Sequence, residues 1–336
     1  MEEFIDKQIM SFNKKKYNLL SKHIEILNKY PFLVFVIIKN NNIYEIKYKK
    51  TKIRQIYDRE KKINDIFTFF LQKYNIQDTH LFINMSDCFF WREDIPVFNW
   101  VLPDGLQGLI FPDFDILNSF IDDDKEYNFD EAIQKCINYE PSKINNEIFF
   151  IGQPTSFFRK NLNKISENPL KIIIFEKTKY NLNIIKFNKK VQYNYMQMPE
   201  YKNYKYLFDL PGYRPWSVRL KYLFFMDRYI IRISFYNSLW NETSYWKHWF
   251  DYLFDENDYS HLIYDDLEYG EKLDDKMMSK IKNDILEIYN DLEKHPEKYK
   301  KAIDNIKQKR KELNLDNTMK YLYTLISRYT DEILDQ

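Results

Sequence analysis

Two short stretches of the chain place a glycine, hydroxyl groups and an arginine directly after an apolar run. The first reads NEIFFIGQPTSFFRK and the second reads YLFDLPGYRPWSVR. Their candidate ligand-binding residues are Gly152, Thr155, Ser156 and Arg159 in the first stretch, and Gly212, Ser217 and Arg219 in the second. Each pattern predicts a strand, a turn that glycine permits and a helix, which Pro215 would begin in the second stretch. Helix N-termini and arginine forks both attract phosphate, so the two stretches predict a diphosphate site.

The same spacing also has a purely structural interpretation. Strand–turn–helix units are common, and in such a unit Ser217 would cap the helix while Arg219 would lie in solvent. For a single stretch this interpretation is favoured. Two such stretches in the same half of the chain favour binding.

An aspartate follows another apolar run, in the stretch HLFINMSDCFFW. Asp87 would stand at the carboxyl end of a strand, where a carboxylate that faces a cleft can act as a general base. The alternative is an aspartate that forms a turn. Cys88 is interpreted as a small buried residue, because no nearby His or Asn pattern supports a cysteine nucleophile.

A metal site is the rival hypothesis. Asp113 and Asp115 in the stretch FPDFDIL form an Asp-x-Asp pair, a carboxylate spacing that can hold Mg²⁺ or Mn²⁺ against a diphosphate. Matches this short are frequent in a chain with 50 acidic residues. None of the five histidines has a metal-ligand spacing, and the sequence contains neither a Walker loop nor Gly-x-Gly-x-x-Gly.

Composition excludes several classes of protein. Lys and Arg number 51 against 50 Asp and Glu, so a nucleic-acid partner is not expected. Two cysteines are too few for a disulfide framework. The N-terminus begins with acidic residues and lacks the apolar core of a signal peptide, and no apolar run reaches the ~18 residues that cross a membrane. We therefore expect a cytoplasmic protein without a membrane span.

The hydrophobic pattern predicts an α/β chain of two halves followed by helices. The first half should contain a β-hairpin within residues 31–48, a helix at Thr51–Tyr74, and strands within HLFINMSD, IPVFNWVL and GLIFP. A helix around Ala132–Tyr139 marks the predicted boundary. The second half should have strands at Phe149–Gly152, Lys171–Phe175, Tyr206–Asp209 and Tyr229–Ile233, with helical crossovers between them.

Three helices are predicted at the C-terminus, over Lys276–Glu293, Pro296–Leu313 and Asn317–Leu334. The last has one apolar face, made of Leu322, Leu325, Ile326, Tyr329 and Ile333. That face would pack onto the first domain or form a homodimer, and the sequence leaves both open. The predicted domains are residues 1–140, 141–275 and 276–336.

Segments between Leu81 and Leu267 together resemble glycosyltransferase family 90, the group that includes protein O-glucosyltransferases and capsule xylosyltransferases. The resemblance rests on FINMSDCFF, IPVFNW, GLIFPDFDI, IFFIGQPTSFFRK, YKYLFDLPGYRPWSVRLKYLFFMDRYIIRI and YWKHWFDYLFDENDYSHLIYDDLE. The chain departs from the family at two positions: Ile151 replaces an arginine before the glycine, and Asp258 replaces a histidine before the late tyrosine.

The resemblance implies a GT-B-like fold, in which two Rossmann-like domains face a cleft, here with a helical C-terminus. It implies an inverting glycosyltransferase that moves a sugar, most often glucose or xylose, from a UDP-sugar to a hydroxyl of a glycan or glycoconjugate without an essential metal. Asp87 would be the base, and the two glycine stretches would bind the donor, with no other cofactor. The alternatives are a metal-dependent transferase that uses Asp113 and Asp115, and a non-catalytic nucleotide-sugar-binding or scaffold protein, which the Ile151 departure motivates.

Overall fold

The computed structural model describes residues 1–12, 15–49, 54–86, 89–103, 106–113, 129–153, 157–177, 182–186, 189–192, 198–212, 217, 219–236, 246–268 and 273–335. In these residues the chain is a mixed α/β protein. Its sheets contain parallel strands, and its C-terminal region is helical. The α/β class predicted from the sequence is therefore confirmed.

The five helices with predicted bounds are observed in type and approximate position, at residues 54–73, 129–138, 275–294, 296–309 and 315–332. The helices at residues 2–10 and 23–29 had no predicted bounds. The described helices are α1 (Glu2–Met10), α2 (His23–Lys29), α3 (Arg54–Lys73), α4 (Phe129–Asn138), α5 (Phe157–Asn161), α6 (Leu220–Leu223), α7 (Asp275–Lys294), α8 (Pro296–Lys309) and α9 (Leu315–Glu332). Of the described helices, none combines the length and the apolar character needed to cross a membrane.

The strands are β1 (Leu33–Lys39), β2 (Asn42–Tyr48), β3 (Thr79–Asn84), β4 (Val97–Asn99), β5 (Leu102–Pro103), β6 (Leu109–Ile110), β7 (Asn145–Gly152), β8 (Leu170–Lys177), β9 (Leu182–Lys186), β10 (Lys189–Gln192), β11 (Tyr204–Asp209), β12 (Tyr229–Tyr236), β13 (Trp246–Lys247) and β14 (Ser260–Glu268). Each apolar run interpreted as a strand in the sequence contributes one of them.

The chain forms two compact units. Unit 1 comprises Met1–Phe129, Trp246–Leu253 and Glu312–Gln336, and unit 2 comprises Asp130–Tyr245 and Phe254–Lys311. These bounds differ from the predicted ranges 1–140, 141–275 and 276–336. The C-terminal helices do not form a unit of their own, because α7 and α8 belong to unit 2 and α9 belongs to unit 1.

The main sheet of unit 1 has the strand order β2-β1-β3-β4-β6. Strand β1 pairs antiparallel with β2 and β3, whereas β3, β4 and β6 run parallel. The predicted hairpin turns at Asn40 and Asn41, whose φ angles are 51° and 55°. Asparagine tolerates this left-handed region better than most residues, which explains its use at a two-residue turn.

Helix α9 packs its apolar face within unit 1. All five residues of the predicted face are at most 1% exposed. The Tyr321 hydroxyl donates to the carbonyl oxygen of Ile110 at 2.8 Å, and the Ile110 amide donates to Gln8 Oε1 at 2.7 Å. The Tyr329 hydroxyl donates to the His80 carbonyl oxygen at 3.0 Å. Of the two predicted outcomes for this face, packing onto the first part of the chain is the one observed.

The sheet of unit 2 has the strand order β10-β9-β8-β7-β11-β12-β14. Strands β8, β7, β11, β12 and β14 run parallel, and β9 and β10 extend the edge antiparallel. The prediction of a helical crossover in every interval was wrong between β8 and β11, where β9 and β10 lie. Helices α5, α7 and α8 cover one face, on a core that includes Ile148, Phe158, Phe208, Ile231 and Ile281.

Candidate anion site of unit 2

Strands β7 and β11 bring the two glycine stretches to the same edge of the unit 2 sheet. The two strands are neighbours and run parallel, so their carboxyl ends, Gly152 and Asp209, lie on the same side. Ligands of parallel α/β sheets bind beyond this edge. The chain segments that follow the two strands therefore start from adjacent positions.

The arginines of the two stretches converge on one aromatic ring. The Arg159 guanidinium carbon lies 5.2 Å from the centre of the Phe150 ring, and that of Arg219 lies 4.8 Å from the same centre. Both distances fall within the range of cation–π contacts. Arg159 Nη2 also donates to the Leu210 carbonyl oxygen at 2.7 Å, which joins the first stretch to the second.

Gly152 allows the Phe150 ring to lie close to the backbone at the end of β7. A Cβ atom at this position would come 2.7 Å from Phe150 Cζ and 3.5 Å from Arg159 Nη1. The first distance is shorter than any ordinary carbon–carbon contact. The absence of a side chain at Gly152 is thus needed for the arrangement of Phe150 and Arg159.

A buried carboxyl and a third arginine lie beside this pair. Arg232 on β12 is opposite Asp209 in the sheet register, and its Nε lies 3.8 Å from Asp209 Oδ2. Asp209 and Arg232 are each 3% exposed. Ser217 donates a hydrogen bond to the Asp209 carboxylate, and Ser217 Oγ accepts one from the Arg219 amide at 3.3 Å. The other oxygen, Asp209 Oδ1, is buried without a hydrogen-bond partner among the described residues.

Burial determines the protonation behaviour of Asp209. It raises the pKa of this carboxyl, and the raising is opposed by Arg232, by the hydrogen bond from Ser217, and by Arg219 and Arg159. Three arginines near one carboxyl leave the site with an excess of positive charge, whichever protonation state Asp209 adopts.

His261 continues the polar row onto β14. It lies opposite Arg232 in the register, and its Nε2 is 2.8 Å from Ser234 Oγ. Burial and the nearby Arg232 lower the pKa of His261 to about 2, so its ring is neutral at physiological pH. A neutral histidine beside the arginines leaves the charge of the site to Arg159, Arg219 and Arg232, which we call the arginine cluster.

The sequence predicts that helix N-termini and arginines together provide the positive charge of the site. In the structure the arginine cluster provides most of it. Helices α5 and α6 have five and four residues, so their dipoles are short. Guanidinium groups bind phosphate oxygens through pairs of parallel hydrogen bonds. Three of them around one carboxyl suit an anion with several oxygen atoms, such as a diphosphate.

The structure describes only some of the residues predicted to form the site. Gly152, Arg159, Gly212, Ser217 and Arg219 are described, and Gly212 is half-buried after the end of β11. Three predicted residues lie outside the described residues: Thr155, Ser156 and Asp87, the proposed base. Pro215, which was expected to begin the second helix, lies outside them as well. In the part that is described, this helix begins at Leu220.

The Asp-x-Asp pair is described at only one of its two positions. Asp113 is buried in unit 1 with 3% exposure, and Asp115 lies outside the described residues. Among the residues that the structure describes, no group of three or more His, Cys, Asp or Glu side chains is arranged to hold a metal ion.

The two departures from the family pattern are both buried. Ile151 is 6% exposed within β7. Asp258 is fully buried, pairs with Lys309 Nζ at 2.6 Å and accepts from the Asp255 amide at 2.8 Å. Asp258 therefore stabilises a turn and anchors α8 within unit 2.

Sequence reasoning missed Arg232, Asp209 and His261 as members of the site. A signal was available for the first, because an arginine inside the apolar run YIIRISF would be buried, and buried arginines are rare unless paired.

Comparison of the chain with known proteins finds no matching family model and no matching curated protein.

Proposed function

We propose that the chain is an inverting, metal-independent glycosyltransferase that moves a sugar from a UDP-sugar to a hydroxyl of a glycan or glycoconjugate. The observation that carries the proposal is the convergence of Arg159 and Arg219 on Phe150, with Arg232 and Ser217 next to Asp209. It supports the proposal because the sequence predicts from local patterns that both stretches contribute to one diphosphate site, and their arginines lie on one ring. The proposal includes the GT-B-like arrangement and the membership of glycosyltransferase family 90 that the sequence resemblance implies.

The chemistry of an inverting transfer fits these residue types. Asp87 would take the proton of the acceptor hydroxyl while the oxygen of that hydroxyl attacks the anomeric carbon. The bond from the anomeric carbon to the UDP oxygen breaks on the opposite side. Negative charge then builds on the departing diphosphate. Preorganised positive groups at such a position contribute roughly 10²–10³-fold to the rate for each donor. Arg159, Arg219 and Arg232 would act in this way.

The test of the proposal is release of UDP from UDP-glucose and UDP-xylose in the presence of EDTA. We expect release by the wild type, and a large loss in the Asp87→Asn and Arg219→Ala variants. Full activity of Asp87→Asn would contradict the assignment of the base. Activity that EDTA abolishes and Mn²⁺ restores would instead favour the metal-dependent transferase that uses Asp113 and Asp115.

A non-catalytic nucleotide-sugar-binding protein is the second candidate. The observation that favours it is Ile151, an uncharged buried side chain where the family has an arginine. The arginine cluster would bind the nucleotide in this case as well, so calorimetry with UDP does not separate the two. Binding of UDP without turnover of any UDP-sugar in a donor panel would support the second candidate, and no binding at millimolar UDP would contradict both.

A further inference from the structure

Unit 1 contains a cavity with a cationic rim that the proposed transfer reaction does not use. Its volume is about 360 Å³. We call it the basic pocket and define it by Lys15, Lys16, Lys22 and Lys29 at the rim, and by Tyr17 and Tyr30 in the wall. This volume is at the lower end of the ~300–1,000 Å³ that small-molecule sites have.

The charge of the basic pocket is unbalanced. Its lining includes five cationic side chains, the four lysines and Arg92, against two carboxylates, Glu25 and Asp94. Arg92 and Asp94 neutralise each other through two hydrogen bonds of 2.7 and 3.0 Å. Lys15 and Lys16 donate to the carbonyl oxygens of Glu93 and Asp331 at 3.4 and 2.6 Å, which leaves their charge in place. Glu25 is then the one carboxylate of the lining that is not paired with Arg92. Because the whole chain carries a formal charge of only +1, this excess is a local feature and not a consequence of a basic composition.

The wall of the basic pocket is held in place by the surrounding backbone. The Tyr17 amide donates to the Ile333 carbonyl oxygen at 2.9 Å, and the Asp335 amide donates to the Tyr17 carbonyl oxygen at 3.1 Å. The Tyr17 hydroxyl donates to the Glu93 carbonyl oxygen at 2.9 Å. On the other side, Arg92 Nη1 donates to the Tyr30 hydroxyl at 2.6 Å. The tyrosine positions are therefore fixed before any ligand arrives, which reduces the entropic cost of binding.

The lysines are arranged around an apolar floor. Lys22, which directly precedes α2, and Lys29, its last residue, flank Ile26 about one helical turn away on each side, and Ile26 is buried at 8% exposure. Leu19 and Ile95 are also buried and form the floor together with Ile26. Lysine binds phosphate as a point charge, and an apolar floor accepts the uncharged part of a ligand.

We propose that the basic pocket binds a small organic phosphate, with its phosphate on the lysine rim and its uncharged part on the floor. The site is separate from the arginine cluster, because all of its residues belong to unit 1 and the cluster belongs to unit 2. A phosphorylated sugar or a free polyphosphate shares the chemistry that the rim recognises. The proposal does not depend on the proposed transfer reaction.

Lysine acetylation of the full chain, followed by mass spectrometry, tests the proposal with inorganic pyrophosphate as the probe. Lys300 and Lys307 on α8 are the internal control, because they are exposed and seven residues apart, as Lys22 and Lys29 are. We expect pyrophosphate to slow acetylation of Lys22 and Lys29 several-fold relative to chloride at equal ionic strength, and to leave Lys300 and Lys307 unchanged. Equal protection of both pairs, or protection of neither, would overturn the proposal.

Calorimetry with pyrophosphate provides the second test. The measurement is made in an Arg219→Ala background, so that binding at the arginine cluster is weakened. Lys22→Gln together with Lys29→Gln should lower the affinity about tenfold or more, since each change removes a charged contact. Lys300→Gln together with Lys307→Gln removes the same charge and should have no effect. Equal affinities of the two double variants would overturn the proposal, whatever the outcome for UDP in unit 2.

Discussion

Arg159 and Arg219, which follow different strands of the unit 2 sheet, place their guanidinium carbons 5.2 and 4.8 Å from the centre of the same Phe150 ring. Two cations normally repel each other at such a shared site. Here the aromatic face and the Asp209 carboxyl offset part of this repulsion, and an anion with several oxygen atoms would offset the rest. The pair is therefore the part of the molecule on which the binding predictions depend.

Replacement of Arg219 by alanine should weaken UDP binding without unfolding the chain. Loss of a hydrogen bond to a charged partner costs about 1.5–3 kcal/mol, which corresponds to roughly 10- to 100-fold in affinity. Arg219→Lys should retain part of the affinity, because it keeps the charge but loses the planar fork. Calorimetry with UDP measures the difference, and circular dichroism checks the fold.

The matched control is Arg328→Ala. Arg328 lies on α9 in unit 1, where it pairs with Glu332 and Asp6. The Arg328→Ala change removes an arginine side chain from unit 1 instead of unit 2 and should leave UDP affinity unchanged. Equal affinities of Arg219→Ala and the wild type would show that the arginine cluster does not bind the nucleotide.

Gly152→Ala should weaken UDP binding by displacing the Phe150 ring. The new Cβ would lie 2.7 Å from Phe150 Cζ, so the ring must shift, and both guanidinium groups rest on that ring. Overpacking of this kind costs about 1–3 kcal/mol of stability. Urea unfolding and UDP calorimetry on the same preparation separate the two effects.

Gly108→Ala provides a control with a similar steric conflict in unit 1. Its Cβ would lie 2.9 Å from Leu102 Cδ1. We expect Gly108→Ala to lower stability by a comparable amount and to leave UDP affinity unchanged. If both variants lose affinity to the same extent, the loss for Gly152→Ala reflects stability alone and Gly152 has no special place in the site.

His261 should make folding sensitive to acid. Burial and Arg232 lower its pKa to about 2 in the folded chain, whereas an unfolded chain has the ordinary value of about 6.5. The unfolded state binds the proton first, so the stability contribution is present above pH ~6.5 and is lost as the pH falls below it. Between pH 7 and pH 4.5 this loss amounts to about 2.5 kcal/mol.

Urea midpoints at pH 7 and pH 4.5 check the contribution of His261. The His261→Gln variant should lose less stability between the two pH values than the wild type does. His295→Gln is the control, because it replaces a histidine whose side chain is 49% exposed and lies beside Asp291 and Glu297, and it should not reproduce the smaller loss of the His261→Gln variant. An identical loss in wild type and His261→Gln would mean that His261 does not titrate as described.

Asp258→Ala should destabilise unit 2 by about 2–3 kcal/mol, because it removes buried hydrogen bonds to charged and backbone donors. The Asp258 carboxyl is fully buried and accepts hydrogen bonds from Lys309 Nζ at 2.6 Å and from the Asp255 amide at 2.8 Å. Asp255→Ala is the comparison, since its side chain is 54% exposed while it contacts the same Lys309. Its loss should be at most about 1 kcal/mol. Equal urea midpoints for the two variants would contradict a structural role for Asp258.

The secondary structure was largely predictable from local patterns. The run LVFVIIK forms the buried strand β1, and the two asparagines after it form the left-handed turn. The apolar face of α9 was predictable because helical spacing places its apolar residues on one side. The pair β9 and β10 was not predicted, because the whole interval between β8 and β11 was interpreted as a helical crossover.

The sequence alone determined that two stretches of unit 2 each carry a glycine and an arginine after a strand, because this information is local. Only the tertiary structure decided that the two arginines share the Phe150 ring and that Arg232 and Asp209 stand beside them. The physical reason is that the order of strands in a sheet depends on packing between residues distant in the chain. Adjacent placement of β7 and β11, with β12 next to β11, assembles the arginine cluster, and no single segment encodes that order.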